Sequence, residues 1–178
     1  MTLYTEMFVS KWHWITAFLI AVAWIALVAG GYDRRVILRS GAGAMVALYV
    51  ITTIPIATIT YQEKSIDSWM RGQVERHYEY KMGQLNGPPG KAERLAVAVG
   101  YVKDDDMYKN YIYVGNYNDS YRFYGRLIVR TYDEQGQALD EQTFEGLRIE
   151  PGEVKKIDTF YASSPFQTYR YDFMSQGE

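Results

Sequence analysis

Hydrophobic and polar positions divide this chain into three regimes. From Trp12 to Gly30 (WHWITAFLIAVAWIALVAG) and from Gly41 to Tyr61 (GAGAMVALYVITTIPIATITY) the pattern is continuously apolar, without Asp, Glu, Lys or Arg, and His13 is the one histidine in either run. A helix of the first length is about 28 Å long, close to the roughly 30 Å hydrocarbon core of a bilayer. The expectation is two transmembrane helices, spans 12–30 and 41–61, forming a hairpin joined by a loop at 31–40. Two buried core helices in a soluble protein would need covering on all sides, and the remaining chain is too small for that. A cleaved signal peptide is the competing reading of the first run. The small residues Ala29, Gly30 and Gly31 favour it, but the segment ahead of the run offers only Lys11, offset by Glu6.

The second regime, residues 62–92, pairs a helical pattern with a breaker. In EKSIDSWMRGQVERHYEYKMGQL, Ile66, Trp69, Met70, Val74 and His77 recur at helical spacing with charges between them. This predicts a juxtamembrane helix that continues the second span or lies on the bilayer surface. NGPPGK, residues 86–91, cannot extend a helix and reads as a hinge before a folded domain.

From Glu93 the period changes to two. ERLAVAVGYV, YIYVGNYN, RFYGRLIVRTYD, QALDEQTFE, VKKIDTFYA and QTYRYDF are short runs of β-branched and aromatic residues separated by turn residues. Six of them in so short a segment predict a small antiparallel β-sandwich over 93–178.

Charge then bears on topology. Before Gln62 stand four basic and two acidic side chains, and the rest of the chain carries 15 basic and 19 acidic. A mixed, mildly acidic soluble part lacks the concentrated basic face that nucleic acid requires. Arg34, Arg35 and Arg39 follow the first span, and Lys and Arg in short loops stay on the cytoplasmic side, so both termini are expected outside. Lys64, Arg71 and Arg76 argue the opposite way, but they belong to a long segment, and long segments cross largely regardless of charge. The expected localisation is the cell membrane, multi-pass, with the C-terminal domain extracytoplasmic.

Within the expected hairpin, Ala17, Ala21 and Ala42–Ala44 offer small surfaces for close helix approach. Pro55 frees a carbonyl that Thr52, Thr53 or Thr58 are placed to satisfy. Trp12, Trp14, Tyr32 and Tyr61 fall where amphipathic rings prefer the membrane interface, and His13 among them reads as interfacial.

The order VGNYND, a strand ending VRTYD, the turn EQGQAL and then LRIEPGE before the run containing Phe160 resembles the FxLYD family of bacterial envelope domains. Val129, Thr131, Tyr132 and Asp133 stand at the name-giving positions, with Val in place of Phe and Thr in place of Leu. Gly136, Pro151 and Gly152 also fit, and the resemblance spans about residues 93–162. It implies an Ig-like sandwich outside a bacterial membrane and brings no catalytic residues. Taken alone, the matching residues are structural: Asp133 to Gly136 suits a hairpin turn, and Pro151 with Gly152 another.

Chemistry is sparse. Cysteine is absent, which removes disulfides, thiol nucleophiles and thiolate metal sites, and His13 and His77 are the only histidines. No GxSxG elbow is present, and GPPGK lacks the first glycine and the Ser or Thr of a phosphate loop. Asp104, Asp105 and Asp106 lack the alternation of a calcium loop and read as a solvated hairpin. Asp133 with Glu134 and Asp140 with Glu141 flank a turn, where acids are ordinary. Asn118, Asp119 and Ser120 spell a glycosylation acceptor, of little meaning in the bacterial source that the family resemblance implies.

The compositional excess is tyrosine, with eleven of 17 lying between Tyr101 and Tyr171. If Ile112 and Val114 point inward, Tyr111 and Tyr113 face out. Tyr169 and Tyr171 align likewise, and Arg126 and Arg130 are able to join them in a candidate binding face. The function expected is a membrane-anchored, non-catalytic envelope protein whose exported domain binds a protein or cell-wall polymer. The alternative is an accessory or regulatory subunit of a membrane transporter or sensor complex, acting through its transmembrane hairpin. No enzyme, cofactor or metal is expected, and the lipid bilayer is a partner in either reading.

Overall fold

The computed structural model describes residues 4–175 and forms two compact units that divide between Ile66 and Asp67. The expected domain ended at 178, and its last three residues lie outside those described. Two α-helices, α1 (His13–Ala29) and α2 (Arg34–Gly83), precede six strands: β1 (Leu95–Asp104), β2 (Met107–Asn116), β3 (Phe123–Tyr132), β4 (Ala138–Ile149), β5 (Val154–Ala162) and β6 (Thr168–Ser175).

The first unit holds a short 3₁₀ turn (Thr5–Met7), α1, and α2 as far as Ile66. Helix α1 lies antiparallel to α2, because side-chain contacts run in reverse sequence order. Trp24 sits against Gly41, where an added Cβ would come within 2.8 Å of the indole, and the Thr16 hydroxyl donates to Thr52 Oγ1 at 2.8 Å. His13 Nε2 lies 3.2 Å from Thr53 Oγ1, and Lys64 pairs with Glu6 at 3.3 Å. The connection is shorter than expected. It occupies Gly30 to Asp33, with Gly31 at φ 68°, and Arg34, Arg35 and Arg39 fall on the first turns of α2 rather than in a 31–40 loop. Asp33 is of a preferred N-cap type and RRVIL has no helix breaker, so the helix begins there.

One expectation for Pro55 fails. Thr52 donates to the Leu48 carbonyl (2.8 Å) and Thr58 to that of Ile54 (3.0 Å), while Thr53 faces His13, so none of the three caps the Ile51 carbonyl that the proline frees. Thr52 and Thr58 each reach back one turn along their own helix, where the nearest carbonyl wins.

The second unit is a two-sheet antiparallel sandwich with a helical layer. The strand orders are β1-β2-β5 and β4-β3-β6, every pairing antiparallel. Alternation along the strands sends Leu95, Val97, Val99, Ile112 and Val114 from one sheet and Phe123, Leu127 and Val129 from the other into a common core. All six expected strands are present. The acidic stretch forms a hairpin: Asp104 pairs with Met107, and a two-residue turn at Asp105 and Asp106, with Asp105 at φ 52°, joins β1 to β2.

The outer face of the first sheet is built from small residues, Ala96, Ala98, Gly100 and Gly115, and the last part of α2 lies upon it. Met70 and Val74 are fully buried there. A Cβ on Gly100 would come within 2.7 Å of Met70 Sδ, and one on Gly115 within 2.7 Å of Val74 Cγ1. The apolar stripe of residues 66–77 therefore serves the sandwich, from Asp67 onward, rather than a bilayer surface. The Pro/Gly segment expected as a hinge lies inside this unit: Lys81 Nζ donates to the Leu95 carbonyl (3.2 Å), and Asn118 Nδ2 donates to the Lys91 carbonyl (2.9 Å).

Candidate functional site

The six residues expected to share one binding face are distributed over three environments. Tyr111 and Tyr113 do point away from the core, as alternation requires, yet they are 8% and 3% exposed. The Tyr113 hydroxyl donates to Asp67 Oδ1 at 2.8 Å under the helical layer, and Tyr111 lies beneath the Lys109 and Lys156 ammonium groups. Burial, then the bond to Asp67, raises the Tyr113 pKa above the ordinary tyrosine value. Arg126 and Arg130 sit on the other sheet's outer face. Arg126 pairs with Glu145 at 2.7 Å, and Arg130 with Glu141 and with Asp172 (2.9 Å). Tyr169 and Tyr171 are half-buried on the inner side of that sheet, registered with Thr131 and Val129, so they face opposite to the arginines.

Tyr169 and Tyr171 instead meet His77. Tyr169 donates its single hydroxyl hydrogen to the Val97 carbonyl (3.1 Å), so it accepts from His77 Nδ1–H (3.1 Å). That tautomer leaves Nε2 as an acceptor, and Tyr171 donates to it (3.3 Å). Burial, then the neighbouring Lys81, holds the His77 pKa below the usual imidazole value, and burial pushes Tyr169 up to about 12. The chain Val97, Tyr169, His77, Tyr171 ties the helical layer to both sheets. A cleft of about 440 Å³ beside it is lined by Trp69, Gln73, Arg76, His77, Tyr80 and Tyr169. Further along the layer Tyr78 stacks on Tyr117 with centroids 4.0 Å apart.

A second cleft, of about 460 Å³, opens at the opposite side of the sandwich, where β5 and β4 are edge strands. Asn110 and Phe160 line it from one sheet, Thr131, Asp140 and Gln142 from the other, and Phe166 from the β5–β6 loop. Asn110 is 1% exposed; its Nδ2 donates to the Tyr108 carbonyl (3.2 Å), while its Oδ1 has no hydrogen-bond partner. Gln142 Nε2 donates to Asp140 Oδ2 at 2.8 Å, and the Glu141 amide to Asp140 Oδ1 at 2.9 Å. Asp140 was read from sequence only as an acid flanking a turn and Thr131 only as a motif position, and Asn110 was not singled out. The available signal was one polar residue, Asn110, in the inward register of Ile112 and Val114.

The family-motif positions hold turns and core. Val129 and Thr131 are buried, and Asp133 Oδ1 accepts from the Gln135 (2.9 Å) and Gln137 (2.8 Å) amides. Gly136 and Gly152 adopt φ of 76° and 72°, which glycine tolerates best, and Pro151 lies in the β4–β5 turn. Asn118 of the glycosylation string is buried and engaged by Asn116 as well as Lys91. Among the described residues no three His, Asp or Glu side chains gather as a metal site.

No family model matches the chain, and no curated protein matches it. Among solved structures, the crystal structure of a DUF1425 family member from Shewanella sp. pv-4 is similar to it at 9% identity with a TM-score of 0.34, covering 47% of this chain and 80% of that one.

Proposed function

We propose that this chain is a non-catalytic, membrane-anchored envelope protein whose sandwich domain binds a partner outside the cell. The observation that carries the reading is the apolar surface of the first unit. Trp14, Phe18 and Ile25 on α1 are 79%, 67% and 66% exposed, and Val46, Ile51 and Ile54 on α2 are 64%, 65% and 61% exposed. Water-facing apolar side chains all round two helices are the surface a bilayer covers. Helix α2 is long and apolar enough to cross, while α1, at 17 residues, is about 26 Å long and spans with its flanking residues. Arg34, Arg35 and Arg39 lie beside the turn and support a cytoplasmic side for that end.

The strand orders support the Ig-like part of the reading. A-B-E and C′-C-F are subsets of the two Ig sheets, and β1-β2-β5 with β4-β3-β6 has that arrangement. The FxLYD resemblance agrees with it. The alternative, an accessory subunit of a transporter or sensor, draws on a groove of about 710 Å³ in the first unit, lined by Trp12, Ile15, Ile51, Pro55, Ile56 and Ile59, where a partner helix fits. Alkaline carbonate washing of membranes tests the common core of both readings. The chain should stay in the pellet, and its release into the supernatant would refute anchoring by the hairpin.

A further inference from the structure

We infer that the cleft between β4 and β5 is a binding site for an organic ammonium group on a short apolar stem. The inference deepens the reading of the sandwich as a binding module and rests on it. The cleft combines one carboxylate with several uncharged acceptors, a lining suited to a cationic donor. Asp140 supplies a carboxylate, and Gln142, with one Nε2 hydrogen engaged by Asp140, offers Oε1. The Thr131, Ser163 and Ser164 hydroxyls add further acceptors. Among the described residues no Lys, Arg or His lines the cleft. Phe160 and Phe166 present aromatic surface, which attracts an ammonium and its stem alike.

Asn110 decides between a site and an ordinary crevice. A buried acceptor without a donor costs stability, and a leucine of similar size would avoid that cost. Its last torsion is soft, so Oδ1 turns into the cleft at the loss of one 3.2 Å hydrogen bond and meets an N–H there. Asp140 and Asn110 then share the ammonium, a charge-assisted pair of contacts that a neutral hydroxyl does not reproduce.

The test uses the full chain in lipid nanodiscs and follows thermal unfolding by intrinsic fluorescence. The probes are 1,5-diaminopentane, its neutral match 1,5-pentanediol, and Nα-acetyl-lysine-methylamide. A ligand that binds the folded state raises Tm. The diamine should raise Tm in a saturable way and the diol should not. Asp140→Asn, which changes charge without shape, should weaken the apparent affinity by about tenfold or more. Asn110→Leu should raise the ligand-free Tm and abolish the response. An equal response to the acetyl-lysine amide assigns the ammonium to a peptide side chain, and a response to the diamine alone assigns it to a free amine; both support the site. No response to either amine, an equal response to the diol, or an amine response unchanged in both variants would overturn it. Location relative to the membrane is read separately, by the labelling described below, so the two failures are distinguishable.

Discussion

Gly125 lies near the start of β3, the middle strand of the second sheet, where a Cβ would overlap the backbone carbonyl of Met174 on the neighbouring strand. Backbone cannot move aside as a flexible side chain does, so Gly125→Ala should cost at least about 1–3 kcal/mol, read as a lowered midpoint in chemical unfolding. The contrast with Gly136 is instructive. That glycine was legible from sequence because a turn requires its positive φ, whereas Gly125 sits in a strand and nothing local marks it. Asn110 belongs with Gly125. The alternation that places it inward is visible in YIYVGN and the residues before it, but whether its amide oxygen finds a donor depends on strands far away in sequence.

Elements carry the largest departures from expectation. The helical stripe of Met70, Val74 and His77 was plain in the sequence; its partner was not, because Ala96, Ala98, Gly100 and Gly115 read as ordinary strand residues until a helix lies on them. The same layer explains why Tyr113 points outward and yet is buried, while Tyr111 lies beneath Lys109 and Lys156. Met70→Ala should therefore behave as a core truncation, costing about 2–5 kcal/mol in the same unfolding measurement. A fragment of residues 67–178 should unfold cooperatively, and one of residues 86–178, stripped of the layer, should melt at lower temperature or aggregate; equal melting of the two would contradict the three-layer arrangement. His77 gives this layer a pH dependence. The unfolded imidazole takes up a proton near 6.5 and the folded one only at lower pH, so stability is full above that value and is lost as pH falls through it. Unfolding midpoints measured from pH 7.5 to 5 should fall for the native chain and flatten in His77→Gln.

At the scale of the whole molecule, hydropathy and charge do the work. The two apolar runs and the arginines after the first were read directly from the sequence, and the structure makes both runs helical with a shorter turn between them, α2 alone among the described residues being long and apolar enough to cross a membrane. The six strands were equally legible, since period-two alternation survives without knowledge of partners. Which face of each sheet remains open was not legible, because that is decided by the third layer and by ion pairs such as Arg130 with Glu141 and Asp172. The central claim, a hairpin across the membrane with the sandwich outside, is tested most directly by labelling in intact cells with an impermeant thiol reagent. The chain has no cysteine of its own, and Asp33 in the turn and Ser120 in the sandwich are both exposed, so each can be replaced singly. The account predicts that Ser120→Cys labels in intact cells and Asp33→Cys only after lysis. Labelling of Asp33→Cys in intact cells, with Ser120→Cys protected until lysis, would contradict it and place the sandwich in the cytoplasm.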